Sequence, residues 1–175
     1  MSLDPSHPAS HPPIRIVPAE EKDVPLILSF IRGIAEYERL SHEVVADEAL
    51  LRESLFGEKP GAEVLIAHYE GEPAGFAIFF HNYSTFLARS GLYLEDIFVW
   101  PRFRRSGIGR ALLQRVAQIA VERGCGRMEW AVLDWNQPAI EFYKGLGAVP
   151  LEEWTVFRLT GEALRSLGAP SPTRR

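Results

Sequence analysis

The chain has one cysteine, Cys125, in 175 residues, so an internal disulfide and any multi-cysteine metal site are excluded. Cys125 lacks an evident histidine partner and reads as a small filler at a helix–strand turn. The five histidines, at positions 7, 11, 42, 68 and 81, share no ligand spacing, and no metal is expected. No apolar run approaches the roughly 20 residues of a membrane span, and no signal-peptide pattern opens the chain. A cytoplasmic protein without a membrane partner is the expectation. A net charge of −4 argues against general nucleic-acid binding and suits a cationic substrate. There is no internal repeat and no second domain. With 46% hydrophobic and 24% charged residues, residues 14–167 are expected to form a single compact domain. The proline-rich residues 1–13 read as a disordered tail and residues 168–175 as a flexible one.

What is present centres on residues 92–124. Leu92 to Trp100 are dense in aromatic and branched side chains and read as a buried strand ended by Pro101. A basic turn follows, Arg104-Arg105-Ser106-Gly107-Ile108-Gly109, and then a helix with Ile108, Leu112, Val116, Ile119 and Ala120 on one stripe. Unpaired N–H groups at a helix N-terminus, with glycine allowing close approach, make a cradle for an anion. Arg102, Arg104, Arg105 and Arg110 crowd this end, and no acid lies among residues 101–110. Cations there oppose the helix dipole by roughly 0.3–1 kcal/mol each, which an ordinary solvated turn leaves unexplained and a bound polyanion explains. No Lys-Ser/Thr pair follows Gly109, which argues against a nucleoside-triphosphatase loop. Leu112 breaks G-x-G-x-x-G.

Taken in order, Ile14–Val17 reads as a strand, Asp23 and Pro25 start a helix reaching about Arg39, and a second helix runs from about Asp47 to Phe56. Residues 63–69 and 73–81 form an antiparallel hairpin, residues 82–91 a loop, and residues 127–133 a strand. Asn136-Gln137-Pro138 opens a helix through Tyr143 to Leu146, closed by Gly147. A last strand, Thr155–Leu159, precedes a short helix from Gly161 to about Leu167. This order gives an α/β protein with a mixed central sheet flanked by helices. Trp130 and Trp154 read as strand core.

The R-x-x-G-x-G turn and this element order resemble the GNAT family of acetyl-CoA-dependent N-acetyltransferases over residues 14–167. The segments at 31–40 (IRGIAEYERL), 92–99 (LYLEDIFV), 104–109 (RRSGIG) and 131–148 (AVLDWNQPAIEFYKGLGA) resemble the family's diamine branch, the spermidine/spermine and thialysine acetyltransferases. The last segment is closer to the thialysine side. The resemblance implies a GNAT fold, acetyl-CoA as donor with CoA as product, a small-molecule primary amine as acceptor, and a homodimer. It places cofactor contacts at Ile97, Phe98, Val99, Arg104, Arg105, Ser106, Gly107, Ile108, Gly109, Arg110, Asn136 and Tyr143. Residues 97–99 would pair with the pantetheine arm as a strand does. A catalytically silent acetyl-CoA sensor and a protein or peptide N-acetyltransferase are the alternatives.

Acyl transfer to an amine requires an ammonium to lose a proton and a thiolate to gain one. Glu95 and Asp96 are acids in an apolar strand, costly there unless paired or given a role. Being adjacent, they are expected on opposite faces. The resemblance makes Glu95 the base, through water, and both acids amine ligands. Tyr143, a phenol protonated at neutral pH, is the general-acid candidate, with a packed aromatic beside Phe142 as the alternative. Asn136 is an N-cap candidate that the resemblance also places on the cofactor. Tyr37 and Glu38 resemble the branch's amine-pocket residues. Gly33 departs from the spermidine enzymes, which carry an acid there, and this favours a shorter or less charged amine. Arg105 replaces a glycine common in the family's turn, a change tolerated if its φ stays negative.

Overall fold

The structure, a computed structural model, describes residues 14–170; the expectations for residues 1–13 and 171–175 lie outside them. The chain divides into two compact units, one through Ala131 and one from Val132 onward.

The first unit is a five-stranded sheet in the order β1 (Arg15–Pro18), β2 (Glu63–Tyr69), β3 (Glu72–Ser84), β4 (Arg89–Val99) and β5 (Met128–Trp130). Neighbours through β4 pair antiparallel, and β5 joins β4 in parallel. Helices α1 (Val24–Tyr37) and α2 (Glu48–Phe56) come between β1 and β2, and α3 (Ile108–Glu122) comes between β4 and β5. The residues expected as a loop, 82–91, are largely strand. β3 and β4 stay paired out to Ser84↔Arg89, leaving residues 85–88 as the hairpin turn.

Helix α1 starts with proline in its first turn, where the missing N–H costs nothing. It buries Val24, Ile27, Leu28 and Phe30 against Phe76 and Phe98 of the sheet. Phe30 stacks on Phe76 at 5.2 Å, and Trp100 meets Phe98 edge-on at 5.0 Å. Gly33 faces these rings. A Cβ there would lie 2.8 Å from Trp100 and 2.9 Å from Phe98, so the position that lacks an acid also lacks room for any side chain. The end of α1 is closed by Leu40 N–H donating to the Ala35 carbonyl (2.8 Å), with Arg39 left-handed at φ 62°. The predicted α3 stripe is fully borne out, since Ile108, Leu112, Val116, Ile119 and Ala120 are all buried.

The second unit holds α4 (Gln137–Lys144) and α5 (Gly161–Gly168). Helix α5 thus runs one residue into the segment expected as a tail. The strand expected at residues 155–159 is absent among the described residues. Val156 and Phe157 are 87% and 91% exposed. A strand exists through hydrogen bonds to a neighbour, and β-branched and aromatic residues supply only the propensity. Trp154, expected in a core, is 74% exposed, while Trp130 is half-buried.

Candidate functional site

β4 and the turn after it carry most of the predicted residues. β5 pairs with β4 only at Leu92, Tyr93 and Leu94, and β5 is pinned there by polar contacts. Asn82 donates to Glu129 (2.8 Å), and Arg127 reaches both Glu129 (2.8 Å) and Ser84 (3.3 Å). Beyond Leu94 no strand among the described residues pairs with β4 on that side. The backbone of residues 95–99 is therefore an open edge, the kind of surface an extended ligand extends by hydrogen bonding. Ile97, Phe98 and Val99 lie along it, paired on their other side with Ala77, Phe76 and Gly75.

Where the edge opens, the register slips. Ile78 faces Asp96 and Phe79 faces Leu94, so Glu95 is the extra residue of a β-bulge. The expected alternation of Glu95 and Asp96 between faces is therefore broken. Leu94 opposes Phe79 on one face, and Asp96 opposes Ile78 on the face of Phe76 and Phe98, beneath α1. Without the bulge, Asp96 would share the face of Leu94. The slip re-aims its carboxyl toward the helix that ends in Tyr37 and Glu38.

The electrostatics follow from that placement. Burial, with the charges of Glu95 and Glu38 nearby, pushes the Asp96 carboxyl from 3.8 up to about 6. Burial also raises Glu38. The charges of Glu95 on β4 and of Glu38 at the end of α1 are thus both felt at Asp96, an arrangement that invites a cation.

The turn before α3 leaves backbone N–H groups outside the helical ladder. The first helical bond of α3 is Ala111 N–H to the Gly107 carbonyl (3.0 Å), so the N–H groups of Ile108, Gly109 and Arg110 precede the ladder. Gly107 caps the helix at φ 81° with no side-chain cap, and no acid lies in the first turn. Arg102 is paired with Glu72 at 2.9 Å, which leaves fewer arginines for an anion than the sequence suggested. Arg105 has φ 68°. This corrects the expected negative φ: the turn keeps its left-handed shape with an arginine where glycine is the easy residue. Arg104 folds back over α1, its guanidinium 4.6 Å from the Tyr37 ring and 5.8 Å from that of Phe98. Its Nε donates to the Val99 carbonyl at 3.1 Å. Ser106 is half-buried and Arg110 exposed.

Asn136 and Tyr143 belong to the second unit. Asn136 is the N-cap of α4, yet its side chain makes no capping bond; its carbonyl accepts from Ala139 and Ile140. Tyr143 is half-buried, with its ring 5.4 Å from that of Phe142. Its carbonyl accepts from Ala148 N–H (3.2 Å) after the left-handed Gly147 at φ 90°. Among the described residues no group of histidines, cysteines and acids could hold a metal ion, and no helix is long and apolar enough to cross a membrane.

Comparison with known proteins gives a consistent picture. Residues 29–148 match the model of the acetyltransferase (GNAT) family. A thialysine N-epsilon-acetyltransferase of Bos taurus is 42% identical over 165 residues, covering 88% of this chain and 96% of that one. L-ornithine N5-acetyltransferase NATA1 of Arabidopsis thaliana is 36% identical, covering 87% of each. Among solved structures, an integron cassette protein from the V. cholerae mobile metagenome superposes with TM-score 0.74 at 27% identity, covering 88% of this chain and 96% of that one. An aminoglycoside acetyltransferase from soil metagenomic DNA, 20% identical over 85% of this chain and 97% of its own, shares the fold at TM-score 0.72.

Proposed function

The chain belongs to the acetyltransferase (GNAT) family and is an N-acetyltransferase, and from that premise we propose that it carries acetyl from acetyl-CoA to a terminal primary amine of a small molecule. The amines we propose are diamines, polyamines or thialysine- and ornithine-like amino acids. The observation that carries this is one continuous track in the first unit. An anion-cradling turn leads to an open strand edge, and the edge leads to Asp96, where the charges of Glu95 and Glu38 are both felt. A phosphate-bearing donor with an extended arm fits the first two parts, and a cationic acceptor fits the third.

Acetyl-CoA supplies the activated thioester carbonyl. Backbone N–H groups at residues 108–110, with Arg104, Arg105, Ser106 and Arg110, would hold its phosphates, and Ile97, Phe98 and Val99 its arm. Tyr37, Glu38, Glu95 and Asp96 bind the ammonium. The Glu95 carboxylate takes the proton the ammonium must lose, through water. The Tyr143 hydroxyl would supply the proton that the leaving sulfur needs, and Asn136 would add a cofactor contact. The exposed apolar side chains of Trp154, Val156 and Phe157 support a homodimer.

The turn offers a direct test of fit. Gly109 lies in α3, and a Cβ there would meet only Val99, at 3.9 Å. The protein itself therefore has room for alanine, which also favours a helix by up to about 1 kcal/mol over glycine. Gly107 needs its positive φ, and alanine there costs about 1–2 kcal/mol. Gly109→Ala is expected to leave the melting temperature unchanged or higher while weakening acetyl-CoA binding in calorimetry, and Gly107→Ala to lower both. Undiminished affinity in Gly109→Ala would remove the reason for a bare backbone there.

The reaction is tested by CoA-thiol release across polyamines, thialysine, ornithine and a lysine-containing peptide, with light scattering for assembly. Turnover of small amines with an inert peptide is expected. Release with the peptide alone would move the activity to protein acetylation. Acetyl-CoA binding without release on any amine would make the protein a sensor.

A further inference from the structure

The two halves of the proposed site share one side chain. Arg104 is the first residue of the anion-cradling turn, yet its guanidinium lies 4.6 Å over the Tyr37 ring and its Nε is bonded to the Val99 carbonyl. Tyr37 is the last residue of α1. It adjoins Glu38, whose charge is felt at Asp96 together with that of Glu95. A cation over this ring is therefore what the local field favours, and in the ligand-free protein the chain supplies that cation itself.

We propose that Arg104 is a positioning residue that couples the two substrates: it covers the Tyr37 π face in the ligand-free protein and yields that face to the ammonium of the acceptor when phosphates draw its guanidinium into the turn. This rests on the amine site proposed above and adds to it a link between the sites. The consequence is thermodynamic. Guanidinium and ammonium compete for one face, so an amine binding the free protein must displace Arg104, whereas one binding the cofactor complex does not. By linkage the effect is reciprocal, and the amine must strengthen cofactor binding by the same factor. A cation over a tyrosine face corresponds to about 2- to 30-fold in an equilibrium constant.

The experiment measures binding without turnover, using CoA, which has no acetyl group to transfer, and thialysine, ornithine and spermidine as amine probes. Calorimetry gives each amine's Kd with and without saturating CoA, for the wild type and for Arg104→Met, Arg104→Lys, Tyr37→Phe and Tyr37→Leu. Arg104 and Tyr37 are surface-accessible, and circular dichroism checks that the variants fold. The wild type is expected to bind amine about 2- to 30-fold more tightly with CoA present. Arg104→Met should bring this coupling to about one, because amine affinity in the absence of CoA rises to the level of the complex, and CoA affinity should fall. Tyr37→Phe and Arg104→Lys, which keep the ring and the cation, should retain coupling, and Tyr37→Leu should lose it. Amine binding with a coupling of one in the wild type, or coupling that persists in both Arg104→Met and Tyr37→Leu, overturns the shared-residue assignment but leaves the amine site standing. No binding of any amine, with or without CoA, removes the amine site and this coupling with it.

Discussion

Tyr143→Phe is expected to lower kcat by roughly 10²–10⁴-fold, the range for loss of a general acid, while acetyl-CoA affinity stays near wild type. The substitution keeps the aromatic ring and its packing. Tyr143 is half-buried on α4 and its ring lies against Phe142, contacts that phenylalanine reproduces. The backbone bond from Ala148 to the Tyr143 carbonyl does not involve the side chain. What disappears is one O–H, the donor proposed for the leaving sulfur. An interaction made only in the transition state lowers kcat and kcat/KM together, so steady-state rates on a turned-over amine across a pH series, with calorimetry for acetyl-CoA, make the check. Wild-type turnover at every pH would return Tyr143 to a packing role and leave the thiolate to be protonated by water.

The elements that sequence placed well are those in which one periodicity and one boundary signal agree. Helix α3 is an example: its buried stripe repeats at helical spacing, and its start is marked by Gly107 at the N-cap. Helix α2 is another, with the Asp47 side chain accepting from Leu50 N–H at 2.8 Å. Tyr37, Glu38, Glu95 and Asp96 read as one group in the sequence, and the structure brings the charges of Glu38 and Glu95 within reach of Asp96. How it does so was not legible. β4 is covered by α1 on one face and by α3 on the other, so buried residues fall on both sides and alternation carries no phase. Leu94 and Phe98 are both buried at even spacing, and nothing in that spacing reveals that a bulge at Glu95 puts them on opposite faces.

Two further differences come from interactions that a linear pattern does not encode. Arg105 at φ 68° is held left-handed by the turn around it, against its own preference. The β-branched and aromatic residues at 155–159 favour a strand by propensity, but a strand needs a hydrogen-bonding neighbour. The hairpin β3–β4 errs in the other direction. Residues 82–91 carry Asn, Ser and Gly and read as loop, yet cross-strand pairing carries the ladder through Gly91 to Ser84↔Arg89.

Asp96→Asn is expected to stabilise the ligand-free protein at alkaline pH and to impair it as an enzyme. The folded state raises the Asp96 carboxyl from 3.8 to about 6, so between these values the folded protein binds more protons than the unfolded chain. Stability linked to this group is therefore fully present below about pH 4 and is lost as pH rises through about 6. Above that, the wild type holds a buried charge against Glu95 and Glu38 at a cost of roughly 1–3 kcal/mol. A neutral amide of nearly the same shape removes this cost, and the melting temperature at pH 8 should rise by roughly 3–10 °C, with little change at pH 4. Amine binding should weaken in the same variant, seen as a higher KM for every amine that turns over, because one of three carboxylates facing the ammonium is gone. Wild-type KM should itself rise as pH falls below about 6 and Asp96 is neutralised. A melting temperature shifted equally at pH 4 and pH 8 would show that the carboxyl is not ionised against its neighbours. A stabilised variant with unchanged KM would mean the bulge aims Asp96 at α1 for a reason other than the amine. Gain of stability with loss of amine affinity is the pattern of a charge kept buried for binding rather than for the fold.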